Sequence, residues 1–287
     1  MKRKLLCLSL IILSACAAPE LATPLPSPTL ATPTETPTPI VLPTAAPTFA
    51  PTPFITAPAP NQAATIPILM YHHLKELPAH ASELDLTWTV APENFRAQMQ
   101  WLAERGYQTI SMTQVVAHLK ARKPLPRKPI VISFDDGWRE GYAVAFPALK
   151  RYNFAGTYYI YTHPLGSAAY LSRAQVKEMA AAGMDIQAHT LTHPHLRTVA
   201  PDAAFKEIVD SKTILEKELS QPITSFAYPF GEYNAAVLEM VKRAGFTSAV
   251  TINPGYRQRA DELFTLHRIR VSYRDSLSDF AARLPGE

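Results

Sequence analysis

Cysteine is almost missing from this 287-residue chain: Cys7 and Cys16 are the only two, and both lie within the first sixteen residues. From residue 17 onward no thiol is available for a disulfide or for a metal, so a metal site there must use His, Asp and Glu. Long apolar runs are missing as well. Leu5 to Leu13 is too short to span a bilayer, and no later segment is apolar for long enough to do so. No Gly-rich phosphate loop follows any predicted strand, which argues against nucleotide binding. A real excess of charge is also absent. Three of the 28 basic residues and none of the 24 acidic ones fall in the first fifteen positions, leaving 25 against 24, a net charge of +1. The basic pI of about 9.0 therefore belongs largely to the N-terminus and is no argument for a nucleic-acid partner.

What is present begins with Lys2, Arg3 and Lys4 ahead of the apolar stretch, the pattern of a secretory signal over residues 1–15. It ends in Leu13-Ser14-Ala15-Cys16, which resembles the lipobox of bacterial lipoproteins. That resemblance implies cleavage before Cys16, lipid on the new N-terminal cysteine, and a protein held on the cell membrane or envelope surface. Residues 16–65 follow as a Pro/Thr/Ala-rich stretch holding about half of the 27 prolines. Such a composition cannot bury enough apolar surface to offset chain entropy, and it is expected to form a disordered, extended stalk.

Residues 66–287 suffice for one domain, and their pattern alternates. Strands are expected at 66–70, 107–110, 129–134, 156–161, 184–188, 223–227, 247–251 and 268–272. Helices are expected at 92–104, 113–120, 172–182, 201–219 and 233–244. Three helices end in the same joint, Arg105-Gly106-Tyr107, Ala182-Gly183-Met184 and Ala244-Gly245-Phe246, with glycine at the cap and a strand directly after it. Repeated strand-helix-strand units imply an α/β fold with a parallel sheet, and seven or eight of them imply a barrel, with an open doubly wound sheet as the alternative.

Two clusters that follow predicted strands carry chemistry. In Ser133-Phe134-Asp135-Asp136-Gly137, adjacent carboxylates repel, so a bound cation would both use and neutralise them. Taken alone, the segment also reads as an ordinary Asp-Gly turn. In His189-Thr190-Leu191-Thr192-His193, two histidines four apart can point the same way on a helical turn, a spacing found in zinc sites. Together, one Asp and two His make a three-ligand set with open positions, and the second Asp is left as a base that could activate water against an amide carbonyl. Adjacent carboxylates are poorly placed for glycoside hydrolysis, which needs two of them about 5–10 Å apart across the scissile bond.

These residues resemble the NodB-type polysaccharide deacetylases, carbohydrate esterase family 4, over most of 66–287. The resemblance implies a distorted (β/α) barrel, a divalent metal (zinc as a rule), and hydrolysis of N-acetyl groups on glycans. By motif position it makes Asp135 the general base and Asp136, His189 and His193 the metal ligands. Ala227-Tyr228-Pro229-Phe230-Gly231 resembles the family's third motif, in which the residue at Phe230 offers its backbone N–H to the oxyanion. The opening Leu69-Met70-Tyr71-His72-His73 resembles the subgroup acting on bacterial surface poly-N-acetylglucosamine, which makes an N-acetylated polysaccharide the expected partner. His72, Tyr228 and Trp138 are the candidate substrate contacts, Trp138 as a platform for a sugar ring.

Two departures from the family pattern stand out. The third motif often has Arg two positions before its proline, where this chain has Ala227. The fifth motif usually reads Leu-x-His and supplies the general acid, where this chain has Leu266-His267-Arg268. Arginine stays protonated at neutral pH and is no proton donor, so the acid is left unassigned. His80 and His118 have no partners in the sequence and read as surface. Two other functions fit the same residues: a catalytically silent glycan-binding module, and an esterase removing O-acetyl groups.

Overall fold

The computed structural model describes residues 54–56, 59 and 62–286; the expected signal, Cys16 and most of the expected stalk lie outside them. Seven parallel strands close into a barrel: β1 (Ile68–Tyr71), β2 (Pro129–Phe134), β3 (Thr157–Ile160), β4 (Asp185–Ala188), β5 (Ser225–Ala227), β6 (Ser248–Pro254) and β7 (Leu266–Arg270). Each pairs with the next, and β1 closes the ring by pairing with both β2 and β7. Gln108–Thr109 adds a short parallel strand beside β2. The barrel reading is the one the structure takes.

Helices cover the outside: α1 (Glu83–Trp88), α2 (Pro92–Glu104), α3 (Met112–Ala121), α4 (Phe146–Arg151), α5 (Arg173–Ala181), α6 (Pro201–Leu219), α7 (Ala235–Arg243) and α8 (Leu277–Ala282). Serine capping boxes open α3 and α5, and the three glycine joints are left-handed, at φ 74°, 89° and 82°, which lets each helix stop and its strand begin at once. Four helical elements escaped the sequence reading: α1, a π-helical turn at Gly141–Ala145, α4 that follows it, and α8. All are six residues or shorter, too brief for a 3.6-residue period to register.

The two-residue alternation of the strands sorts their side chains into two apolar clusters. Leu69, Tyr71, Ile130, Ile132 and Phe134 pack outward among the helices. Ile68, Val131, Tyr159, Ala227, Val250 and Leu266 form the second cluster, inside the barrel. The inward series thus runs through Ile68 toward His72, through Val131 and Ser133 toward Asp135, and from Leu266 to Arg268. Sequence period alone delivers these three polar side chains to one end of the barrel.

The domain also starts earlier than residue 66. Phe54–Ile55 pairs antiparallel with Leu125–Pro126, and Ala64–Thr65 pairs with Arg257–Gln258. Ala64 is buried. The last part of the expected stalk is therefore stitched onto the barrel.

Candidate active site

The site forms at the C-terminal ends of the strands. Directly after β2, Asp135 donates its N–H to Tyr71 O at 2.9 Å, extending the ladder by one residue. The chain then turns sharply, with Asp136 at φ 74° and Gly137 at φ 78°. A Cβ on Gly137 would lie 2.9 Å from Ile160 Cγ2, so only glycine fits beneath this turn. The turn separates the adjacent carboxylates, sending Asp135 into the barrel mouth and Asp136 toward the histidines.

Asp136 Oδ1 lies 3.4 Å from His189 Nε2 and 3.5 Å from His193 Nε2. One ligand atom from each of these three residues falls within 4.8 Å of the others. His189 donates Nδ1–H to Ala227 O at 2.7 Å, which fixes the ring and turns Nε2 toward Asp136. Asp136 Oδ2 accepts the Trp138 indole N–H at 2.9 Å, while its buried Oδ1 has no hydrogen-bond partner. An orphaned, buried carboxylate oxygen facing two imidazole nitrogens is what a small cation would satisfy. Burial opposes charge on Asp136, yet the His189 contact and the surrounding imidazoles hold its carboxyl well below the usual range. Burial, reinforced by His189, pushes His193 down to about 4, leaving its imidazole neutral at physiological pH.

The two histidines are not on a helical turn as their spacing suggests. They bracket a loop in which Thr190 and His193 both take left-handed backbone, at φ 72° and 63°, so four-residue spacing is met by two unusual turns.

Asp135 is 3% exposed, and its partner is the residue the motif pattern left unexplained. Arg268, fully buried, donates Nη1–H to Asp135 Oδ1 and Nη2–H to Asp135 Oδ2, both at 2.7 Å. Its Nε–H goes to Thr251 O at 2.8 Å. The arginine absent at Ala227 is thus matched by one that reaches Asp135 from β7. Burial alone would raise the Asp135 carboxyl, but Arg268 reverses this and holds it below the ordinary range. Arg268 is inward because it follows Leu266 by two; His267 faces away, and its backbone is paired with Gln258.

With Arg268 committed to the base, His72 is the remaining imidazole beside it. His72 Nε2 lies 3.8 Å from Asp135 Oδ2. Burial lowers its pKa, partly offset by Asp135 and Asp136. Its ring packs 4.5 Å from that of Trp88, the last residue of α1, and the Arg270 guanidinium lies 4.9 Å from the Trp88 ring on β7's outer end. Trp88 gave no signal in the sequence, because the helix carrying it gave none.

His72, Trp88, Asp135, Asp136, His189 and His193 line a pocket of about 290 Å³ together with Leu84, Asp85, Tyr228, Phe230 and Ile252. That volume suits a single sugar-sized ligand at the small end of binding pockets. Phe230 stands at its rim, 44% exposed, on a left-handed turn at φ 58°. Its ring stacks on His195 at 3.9 Å and meets His193 at 4.5 Å. Tyr228 is buried and donates its hydroxyl to Phe264 O at 3.1 Å, so it supports the pocket wall by its ring. Trp138 packs against Tyr170 at 4.3 Å and His73 at 4.1 Å and is not among the residues lining the pocket. Its part in the site is the hydrogen bond to Asp136. His118 is buried rather than on the surface, with Nδ1 donating to Lys123 O at 2.7 Å, whereas His80 is exposed. Cys16 lies outside the described residues.

Comparison with known proteins agrees with this geometry. The polysaccharide deacetylase family model matches residues 122–249. Bacillus subtilis YxkH, whose name assigns it to the polysaccharide deacetylases, is 33% identical over 222 residues, covering 77% of each chain. The poly-beta-1,6-N-acetyl-D-glucosamine N-deacetylase of Staphylococcus epidermidis is 26% identical over 199 residues, covering 64% of this chain and 68% of its own. Among solved structures, a Streptococcus pyogenes deacetylase in complex with acetate superposes with a TM-score of 0.73 at 34% identity, covering 78% of this chain and all of its own.

Proposed function

This chain belongs to the polysaccharide deacetylase family, and from that premise we propose that it removes N-acetyl groups from an N-acetylglucosamine-containing cell-surface polysaccharide with the help of one divalent metal ion. Deacetylase activity comes with the family. The observation that carries the finer reading is the pairing of a buried, ionised Asp135 with a three-ligand cluster in one small pocket.

Asp136, His189 and His193 would hold the metal, and a donor set of one carboxylate and two imidazoles suits zinc. When bound, such an ion supplies Lewis acidity toward a carbonyl oxygen and favours deprotonation of water. Asp135 takes the proton of the attacking water on a carboxylate oxygen. Arg268 keeps that carboxylate ionised and fixed in plane through its two parallel hydrogen bonds. His72 Nε2, 3.8 Å from Asp135 Oδ2, relays the proton that Asp135 has taken from water to the departing amine nitrogen. The backbone N–H of Phe230, presented by its left-handed turn, donates to the carbonyl oxygen as charge develops there.

The substrate class is supported by the relative named for poly-beta-1,6-N-acetyl-D-glucosamine and by the amide-suited site. The cell-surface setting is supported by Leu13-Ser14-Ala15-Cys16 and the proline-rich stretch after it. Acetate release from poly-N-acetylglucosamine, chitin oligomers, peptidoglycan and acetylxylan, with and without chelator, tests the reading. Chelator-sensitive release from an N-acetylated glucosamine polymer is expected. Release from acetylxylan alone would make the protein an O-acetyl esterase instead.

A further inference from the structure

The loop joining the two histidine ligands is held in an unfavourable shape by something other than its own sequence. Thr190 and His193 both occupy left-handed backbone, which side chains with a Cβ rarely adopt. A bond inside the loop, from His193 N–H to Thr190 Oγ1 at 3.0 Å, closes it but does not tie it to the barrel. On one side, Thr162 N–H donates to Thr190 O at 3.2 Å and His163 N–H donates to Leu191 O at 2.8 Å. On the other side stands one carboxylate. Glu207 Oε2 accepts the N–H groups of Leu191 at 3.0 Å and Thr192 at 2.7 Å, and Glu207 Oε1 accepts the Thr192 hydroxyl at 2.7 Å.

Three donors from two consecutive residues converge on Glu207, and bonds to an ionised acceptor are stronger than neutral ones. The carboxylate sits on a rigid support: α6 is nineteen residues long and buries Ala204, Ile208, Ser211 and Leu215 against the barrel. Glu207 touches neither imidazole. It acts on Leu191 and Thr192 between them, and so on the separation and aim of the two Nε2 atoms.

We propose that Glu207 is the positioning residue of the metal site, clamping the Leu191–Thr192 backbone so that His189 and His193 converge with Asp136. The inference rests on the metal reading above and adds a determinant of metal affinity from outside the motifs.

The test is zinc affinity of the full-length chain, measured by competition with a chromophoric chelator, with melting temperature recorded metal-free and zinc-bound. Parent protein that fails to bind zinc overturns both the metal reading and this inference. Given zinc binding by the parent, Glu207→Ala should weaken it by about 10–100-fold, the usual range for groups that orient ligands. Glu207→Gln, whose amide oxygen still accepts, should lose less. The rise in melting temperature on adding zinc should shrink in Glu207→Ala, because ligand-linked stabilisation follows affinity; a purely structural carboxylate would lower both melting temperatures equally. Affinity within about twofold of the parent in Glu207→Ala overturns the inference, as it falls well short of that range. If Glu207→Ala does not fold, Thr192→Val removes one arm of the clamp alone. It should weaken zinc in the same direction by a smaller factor, and unchanged affinity there overturns the inference as well.

Discussion

At the scale of single residues, the account turns on Arg268 and Asp135. A buried carboxylate without a partner would take up a proton and cease to be a base, and the bidentate guanidinium prevents this. The expected effect of Arg268→Met follows with its sign. The variant carboxyl loses the partner that depresses its pKa while keeping the burial that raises it. The acid limb of the pH–rate profile should therefore move to higher pH, with activity at neutral pH reduced. Stability should fall too, by about 3–5 kcal/mol, the range for removing one member of a buried ion pair. An unchanged acid limb in a pH series of acetate release would show that Asp135 is not the group titrating. The carboxylates and histidines were legible in the sequence because they sit together in short motifs. Arg268 was legible only as an anomaly, since its meaning lies in a partner 133 residues away. Trp138 shows the opposite case: its position beside the motif suggested a sugar platform, but its ring packs against Tyr170 and His73 and does not line the pocket.

At the scale of elements, the barrel strands and the longer helices fell close to where periodicity placed them, and α2 and α6 at the same residues. Period and glycine joints are local signals, so they survive without tertiary information. α1 left no such trace, yet it builds one wall of the pocket. Six residues opened by a Ser82 capping box bring Leu84, Asp85 and Trp88 over the mouth. Trp88 packs against the His72 ring and contacts the Arg270 guanidinium, and so restricts the imidazole proposed to protonate the leaving nitrogen. Replacing it by alanine frees that ring while sparing Asp136, His189 and His193. Trp88→Ala should lower kcat by about 10–100-fold, the scale of a misplaced catalytic group, with zinc affinity unchanged. Steady-state kinetics beside a zinc titration checks this. A loss confined to KM would make Trp88 a substrate contact rather than a support for His72.

At the scale of the whole molecule, the two poles of the barrel have different jobs. The candidate site residues His72, Asp135, Asp136, His189 and Phe230 follow the C-terminal ends of β1, β2, β4 and β5. Phe54–Ile55 and Ala64–Thr65 pair with segments that precede β2 and β7 in the chain, toward the N-terminal ends of the strands. The polypeptide upstream therefore joins the domain at the pole away from the mouth. Cys16→Ser is expected to move the protein from the membrane fraction to the soluble extracytoplasmic fraction, or to leave it unprocessed, while activity on small soluble oligomers stays at the parent level. Membrane fractionation paired with an oligomer assay checks both parts. Unaltered membrane partitioning of a normally processed Cys16→Ser form would contradict the anchor.

The central claim is that one metal ion, held by Asp136, His189 and His193, enables this pocket to deacetylate an N-acetylglucosamine polymer. The most direct measurement is acetate release from poly-N-acetylglucosamine by metal-stripped protein as zinc is added in known ratio to chain. The account predicts negligible release without zinc, a rise that saturates at one zinc per chain, and no rise in a His189→Ala, His193→Ala double variant. Full acetate release from the stripped protein, or normal zinc-dependent release by the double variant, would contradict it.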